Sequence, residues 1–159
     1  PKTGKILAVV VLAMYALLIV PGTLRRFKAD RLRAEAGHLF SLKQWRDASE
    51  VYGAANKLDP TDGQACYQWG MAYVNLQEWD KAINAFKQSV EIRNYGEVYN
   101  DLANCYYIKA QSVTGVERKH LLIQALDAWQ MAVRLGLPVE NDQVVVMRNI
   151  RTVQDMLSR

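Results

Sequence analysis

One recurrence along this 159-residue chain limits what it can fold into more than any other feature. Residues 42–60 (LKQWRDASEVYGAANKLDP) align without a gap with residues 76–94 (LQEWDKAINAFKQSVEIRN). The aromatic and small residues of the two segments coincide: Trp45, Ala48, Tyr52 and Ala55 return at one constant spacing as Trp79, Ala82, Phe86 and Ser89. Repeats of this length are typical of helical hairpins that bury a core by stacking. The sequence therefore predicts an all-α solenoid.

The pattern resembles the tetratricopeptide repeat (TPR) family, whose unit is a helix-turn-helix with small residues where its two helices cross. The strongest local match is GQACYQWGMAYVNL, in which Trp69, Gly70 and Tyr73 stand at the positions of the family pattern. The resemblance implies three repeats within residues 25–138: 29–62, 63–95 and 96–138.

The third repeat departs from this pattern by an insert of about ten residues, placed near 112–122. The separation from Tyr106 to the matching small residue Ala125 is about twice the separation from Tyr73 to Ala82. The insert could lengthen both helices by a turn or could form a loop. The sequence leaves these two alternatives open.

A last helix is predicted over residues 139–159. Its apolar residues recur at helical spacing: Val146, Ile150, Val153 and Leu157. Stacked repeats end with an exposed apolar edge, which a final helix with one polar face can cover. We therefore predict a C-terminal capping helix.

An uncharged stretch at residues 6–24 predicts a transmembrane anchor over residues 1–24. As a helix this stretch spans roughly 28 Å, close to the thickness of a hydrocarbon core. The anchor is expected to continue into the first repeat as one helix, with a kink at Pro21-Gly22. A secretory signal peptide is the competing interpretation, but residues 20–23 offer no small-x-small cleavage site. A buried core helix fits poorly because the stretch has no polar face.

Positive charge is concentrated beside this stretch. Residues 1–33 hold seven Lys or Arg and one Asp, a net charge of +6, so the remainder of this +4 chain carries −2. Two lysines, Lys2 and Lys5, precede the stretch, and five basic residues follow it: Arg25, Arg26, Lys28, Arg31 and Arg33. This bias predicts a single-pass membrane protein with its repeats on the cytoplasmic face, or the equivalent face in an organelle, and with basic side chains at lipid phosphates. Nucleic-acid binding is not predicted, since the folded part lacks a basic face.

No pattern in the sequence indicates a catalytic, cofactor or metal site. His38 and His120 lack Cys or carboxylate neighbours at ligand spacing. Cys66 and Cys105 are single thiols on leading helices, expected to be reduced in a cytoplasmic domain. Phosphate-binding loops and nucleophile elbows are also missing. We predict that the protein is not an enzyme and takes no cofactor and no small-molecule substrate.

The TPR resemblance implies a concave groove lined by the first, or leading, helix of each repeat. Residues of these helices that are not used in repeat packing are the candidate peptide contacts: Arg33, Phe40, Tyr67, Met71, Asn75, Asn100, Asn104 and Tyr107. Amides suit the backbone of an extended peptide or a helix, and aromatic rings and Met suit its side chains. A solvated face without a ligand is the alternative.

One TPR subclass binds chaperone tails through a clamp of two Lys or Arg and two Asn. Arg33 could supply one member of the clamp, but Gly37, Gln64 and Gln68 stand where other members are expected. Because the clamp is incomplete, chaperone-tail binding is not predicted.

Two functions remain consistent with these features. The favoured hypothesis is a membrane-tethered adaptor or assembly factor that holds a protein or peptide partner at a membrane complex. Small anchored TPR proteins that help to assemble photosynthetic and other membrane complexes resemble this arrangement. The alternative is a permanent accessory subunit, whose membrane helix packs against other membrane helices while its repeats clamp a peripheral partner.

Overall fold

The computed structural model describes residues 2–158, with side chains described at 10–17, 19–139 and 142–158. Over this part of the chain the structure is all helical, with seven helices and no strand. Their bounds are α1 Lys2–Ser41, α2 Trp45–Leu58, α3 Gly63–Asn75, α4 Trp79–Ile92, α5 Gly96–Gln111, α6 Gly115–Leu135 and α7 Glu140–Leu157. The first six helices pair as hairpins, the hairpins stack in chain order, and α7 packs on α6. The result is a helical solenoid.

Helix α1 joins the predicted membrane segment to the first repeat without a break, and Pro21 lies inside it. Every described side chain from Val10 to Lys28 is exposed. Burial begins at Ala29, which is fully buried. By length and apolar composition, Val10–Ser41 is the single candidate membrane span among the described residues, although a signal sequence has the same properties. The predicted continuity between the apolar segment and the first leading helix is therefore present.

Large rings facing small residues hold the hairpins together. Phe86 of α4 lies against Gly70 of α3, where an added Cβ would stand 2.5 Å from Cε1 of the ring. The three largest fully buried side chains come from the second helix of each hairpin: Tyr52, Phe86 and Trp129. Burial of one such ring stabilises the fold by about 1.5–3 kcal/mol. Each repeat thus has its main packing residue on the second helix of the hairpin.

The turns inside the first two hairpins share one backbone conformation. Lys43 and Gln77, which occupy the same position in successive repeats, have φ angles of 60° and 57°. In both turns the amide of the next residue bonds back to a carbonyl of the leading helix, over 3.0 Å. This left-handed conformation is unfavourable for residues other than glycine. The repeat is therefore preserved in its turn as well as in its packing residues.

The insert of the third repeat is helical. Helix α5 has 16 residues against 13 in α3, and α6 has 21 residues against 14 in α4. The insert thus adds about one turn to α5 and two turns to α6, while a short link, 112–114, still joins them. Lys109 on the added turn of α5 pairs with Asp80 at the start of α4, over 2.5 Å. The loop alternative is wrong, since the extra residues continue two existing helices.

Helix α7 covers the end of the third hairpin. Val146, Ile150 and Val153 are buried in the main core. The step from Val146 to Ile150 repeats the step between the buried residues Cys66 and Gly70 of α3. Helix α7 therefore takes the place of a further leading helix as well as closing the core.

Candidate functional site

The candidate site is a partly buried surface on the leading helices α3 and α5. Tyr67 and Met71 of α3 and Tyr107 of α5 pack against the main core and remain partly exposed. Asn100 and Asn104 of α5 are half-buried as well. Residues three or four apart lie on the same helix face, so these five residues form one strip on each helix. We call this surface of α3 and α5 the groove surface.

A hydrogen bond joins the two strips. The hydroxyl of Tyr67 donates to Oδ2 of Asp101 over 2.9 Å. Burial raises the pKa of Tyr67, and the neighbouring Asp101 carboxylate raises it further. Burial likewise raises the pKa of Asp101, and Glu97 and Asp142 add to the rise. The groove surface therefore carries a carboxylate in a poorly solvated position, held by a phenol.

Asp101 is a site residue that the sequence interpretation missed. In the register that pairs Gly63 with Gly96, the first residues of α3 and α5, Asp101 takes the place of Gln68. The sequence interpretation weighed Gln68 only as a clamp position and did not carry that position to the third repeat. Asn104 lies beside the same carboxylate and lowers its pKa, so Asp101 stands at the middle of the groove surface.

Asn75 lies at the end of α3 and is exposed. Its amide nitrogen donates to the backbone carbonyl of Met71 over 2.8 Å, one turn earlier in the same helix. This bond holds the side chain at the margin of the strip formed by Tyr67 and Met71. Asn75 is thus placed beside the groove surface rather than within its buried part.

Arg33 does not join the groove surface, because its side chain is held by the chain's own carboxylates. Its Nη2 lies 3.1 Å from Oδ2 of Asp59 and donates to the Asp59 carbonyl over 2.7 Å. Its Nη1 donates to Asp30 over 2.7 Å, and its Nε lies 3.4 Å from Asp62. The side chain is only 13% exposed. Arg33 therefore ties α1 to the turn between α2 and α3, a structural role that neither the groove nor the membrane-flank prediction anticipated.

Phe40 is also engaged inside the first hairpin. Its ring meets Trp45 edge-on, with centroids 4.8 Å apart. It packs against the small core cluster of Ala36, Ala48 and Tyr52. Phe40 therefore stabilises the hairpin and leaves only a partly exposed ring for a ligand.

At the clamp positions of the first two repeats, the side chain of Gln68 is engaged in an internal contact and that of Gln64 is exposed. Oε1 of Gln68 accepts a hydrogen bond of 2.6 Å from the hydroxyl of Tyr52. Burial and the nearby Asp62 raise the pKa of Tyr52 to about 12. The backbone amide of Gln64 bonds to Asp62, which caps α3. Gly37 offers no side chain at all. The absence of a complete clamp stays a prediction.

The other four membrane-flank residues lie on the exposed part of α1: Arg25, Arg26, Lys28 and Arg31. Lys28 borders a surface cavity of about 670 Å³ between α1, α2 and α3. Lys57 and Trp69 line the same cavity. The basic residues are thus available to solvent or to lipid headgroups at the point where α1 leaves the solenoid.

Helix α7 extends the series of leading helices. In the register set by Cys66 and Val146, Met147 takes the place of Tyr67 and Arg151 that of Met71. Both α7 residues are exposed and line a surface cavity of about 580 Å³. Sequence reasoning treated α7 only as a cap and missed these two residues.

The two thiols are buried and unreactive. Burial raises the pKa of Cys66 to about 11 and that of Cys105 to about 12. The Cys66 thiol donates to Oδ1 of Asn56 over 3.4 Å. Within the described residues, no group of three or more His, Cys, Asp or Glu is placed to hold a metal ion. Thiols held this way are poor nucleophiles.

Comparison with known proteins supports the tetratricopeptide-repeat family. The model of the tetratricopeptide repeat matches residues 63–94, which contain α3 and α4. "BBSome complex member BBS4" of Bos taurus is 29% identical over 89 residues, which cover 56% of this chain and 17% of that protein. The chain therefore spans less than a fifth of the length of this relative.

Solved structures share the fold of most of the chain. The Arabidopsis OM64 TPR domain has a TM-score of 0.66 and 14% identity, and the match covers 80% of this chain and 98% of that one. The first TPR of Spaghetti (RPAP3) bound to HSP90 peptide SRMEEVD has a TM-score of 0.64 and 16% identity, covering 83% and 94%. The solenoid is thus a TPR-like fold, a scaffold for protein interaction that is typically non-enzymatic.

Proposed function

We propose that this TPR-like domain is a membrane-tethered adaptor or assembly factor that holds a peptide segment of a membrane-complex partner on its groove surface. The observation that carries the proposal is the strip of Asn100 and Asn104 beside the bridge from Tyr67 to Asp101. Amide groups can bond to the backbone of a peptide in an extended or helical form. Half-buried aromatic rings add apolar contact on both sides.

The charge of the groove surface favours a neutral or basic peptide. Asp101 and Glu97 lie on α5 at the groove surface, and Asp142 lies close enough to raise the pKa of Asp101. An acidic peptide such as the SRMEEVD of the Spaghetti structure would place like charges together in a partly desolvated position. A Lys or Arg of the partner would instead form a charge-assisted hydrogen bond with Asp101.

The exposed apolar part of α1 supports the tether. Side chains of this helix pack on nothing between Val10 and Lys28, where the described residues are all exposed. An apolar helix of this length is unfavourable in water and favourable in a bilayer. Five basic residues follow the apolar part, so the repeats are assigned to the cytoplasmic face or its organelle equivalent.

The groove is tested by a pull-down of the full-length chain in mild detergent. Asn100→Ala with Asn104→Ala should lower partner recovery, because both amides contact the partner. Each lost or unpaired hydrogen bond costs about 1–3 kcal/mol. The matched control is Asn84→Ala, an exposed asparagine on α4 away from the groove surface. Equal recovery from the two variants and the parent would refute the groove assignment.

The tether is tested by alkaline extraction of membranes that contain the full-length chain. The protein should stay in the pellet. Release of a form that begins after Val20 into the soluble fraction would establish a cleaved signal instead. Protease added outside intact cells or organelles should leave the repeats undigested, and digestion without permeabilisation would reverse the assigned orientation.

The accessory-subunit alternative rests on the same exposed helix, since a lone span can pack against other membrane helices. The two functions differ in stoichiometry. A permanent subunit co-purifies with its complex in equal amounts, whereas an adaptor or assembly factor is recovered in substoichiometric amounts. Native mass spectrometry of the purified complex measures the ratio.

A further inference from the structure

Three inter-repeat turns lie at the end of the solenoid from which α1 emerges. Helices α1, α3, α5 and α7 run in one direction, because one reversed helix and two short turns separate each of them from the next. Contacts link these turns in sequence. Arg33 of α1 bonds to Asp59 in the α2–α3 turn, and Ser89 near the α4–α5 turn donates to the carbonyl of Gly63 over 2.7 Å. Gly96, at the start of α5, lies against the backbone of Gly136 in the α6–α7 turn.

The height of these turns above the membrane segment follows from α1 itself. Ala29 is the first buried residue of α1, and it corresponds to Gly63 and Gly96, the first residues of α3 and α5. Ala29 follows closely on Leu24, the last residue of the uncharged stretch. At about 1.5 Å per residue the two are separated by about 7.5 Å along the helix. The headgroup region of one leaflet is about 5–7 Å thick, so the turns stand at its outer boundary.

The side chains at two of these turns, α4–α5 and α6–α7, are of the type found at membrane interfaces. Tyr95 is 49% exposed in the α4–α5 turn, and Val139 is 52% exposed in the α6–α7 turn. The guanidinium of Arg93 lies 5.3 Å from the centre of the Tyr95 ring. Exposed Ile92 and Leu135 lie beside these turns at the ends of α4 and α6. Aromatic rings and arginines are the usual residues at headgroup depth.

A surface cavity of about 430 Å³ connects the two turns. Tyr95, Leu137 and Pro138 line it, together with Asn94 and Glu97. The acidic Glu97 limits attraction to anionic lipid, so the apolar and aromatic side chains provide the main contact. The cavity is thus an apolar depression with a polar margin that faces in the direction from which α1 emerges.

The geometry points to a second membrane contact: the exposed side chains of segments 92–95 and 135–139 reach into the headgroup layer of the bilayer that α1 crosses. This inference rests on the proposed tether. The contact fixes the orientation of the solenoid relative to the membrane surface and holds the groove surface beside membrane partners. We call this edge of the solenoid the membrane edge.

The test uses the full-length chain in phosphatidylcholine vesicles, with an environment-sensitive fluorophore on a single introduced cysteine. Tyr95→Cys and Val139→Cys place the fluorophore on the membrane edge. Gln77→Cys places it on an exposed turn at the opposite end of the solenoid. The native thiols are buried and do not compete for the label. Lipids with a spin label on the headgroup should quench the fluorophore at 95 and 139 and leave 77 unquenched.

A second variant separates side-chain chemistry from mere proximity. With the fluorophore at Asn94→Cys, the pair Tyr95→Ser and Val139→Ser should reduce quenching. Val116→Ser, at a valine near the start of α6 that is 87% exposed, should not. Adding phosphatidylglycerol should change the quenching at 94 little, because Glu97 offsets Arg93 at the membrane edge.

Three outcomes would overturn the inference. Absence of quenching at 95 and 139 while alkaline extraction leaves the chain in the vesicles would refute the membrane edge and leave the tether intact. A shift of fluorescence at 95 without lipid quenching would indicate contact with a second copy of the chain. Loss of the chain from the vesicles on extraction would refute both the tether and the membrane edge.

Discussion

The hydroxyl of Tyr67 donates a 2.9 Å hydrogen bond to Oδ2 of Asp101, which joins the second and third leading helices. Burial raises the pKa of this carboxyl, and the hydrogen bonds from Tyr67 and Asn104 oppose the rise. A carboxyl with a higher pKa in the folded than in the unfolded state binds more protons when folded. Its charged form therefore lowers the free energy of unfolding. This cost appears as pH rises from the unfolded pKa of about 3.9 and is complete above the folded pKa.

Asp101→Asn should remove that cost while it keeps an oxygen that accepts from Tyr67. We expect a higher denaturant midpoint than the parent at neutral pH, and a difference that disappears as pH falls below the unfolded pKa. Circular dichroism of the full-length chain in detergent measures both. Asp127→Asn, at an exposed position of α6, is the control. A gain that is the same at every pH would contradict the assignment to charge.

Gly70 and Gly37 should respond in opposite ways to the same added methyl group. At Gly70 the new Cβ would lie 2.5 Å from Cε1 of Phe86, which forces the hairpin apart. Overpacking of this kind costs about 1–3 kcal/mol. At Gly37 the nearest atom is the Tyr52 hydroxyl oxygen at 3.7 Å, so Gly37→Ala should gain about 0.5–1 kcal/mol of helix stability. Thermal melts that shift in the same direction for both variants would disprove the packing argument.

The left-handed residues of the two repeat turns should favour glycine. Lys43→Gly and Gln77→Gly should each raise the free energy of unfolding by about 1 kcal/mol, since glycine adopts φ near +60° without a Cβ clash. Lys43→Ala keeps the clash and serves as the control. Denaturant titration distinguishes them. Equal stability of the alanine and glycine variants would mean that lysine carries no backbone strain there.

Arg33→Met should destabilise the first two repeats, because the apolar side chain leaves Asp59 and Asp62 without their guanidinium. Hydrogen bonds to charged groups contribute about 1.5–3 kcal/mol each, so a loss of this order is expected in a denaturant titration. The exposed Arg31→Met is the control on the same helix.

The effect of Arg33→Met should also depend on pH. Thr61 first, and then Arg33, hold the pKa of Asp59 below its ordinary value. The stabilisation is therefore present above the unfolded pKa and is lost as pH falls through the folded one. An equal loss of stability at pH values above and below the unfolded pKa would show that Arg33 acts through packing alone.

The repeat pattern in the sequence predicted the residues that pack the two helices of a hairpin together. The match between Gly70 and Phe86 follows from one repeating pattern, and the structure places both as the pattern requires. The role of Arg33 was not accessible, because its partner Asp59 lies 26 residues away and meets it only through the geometry of a turn. Asp101 was missed for a different reason. It takes the register position of Gln68, and its role depends on burial and on a hydrogen bond from the neighbouring repeat, which the pattern within one repeat does not encode.

Helix α1 has a consequence for the direction in which the groove surface faces. Because α1 is one continuous helix, the direction in which the groove surface faces about the helix axis is fixed relative to the apolar segment. One alanine inserted between Leu24 and Ala29 would turn the solenoid by about 100° about the helix axis, and seven would nearly restore its heading. Partner capture in such an insertion series should therefore rise and fall with the period of the helix.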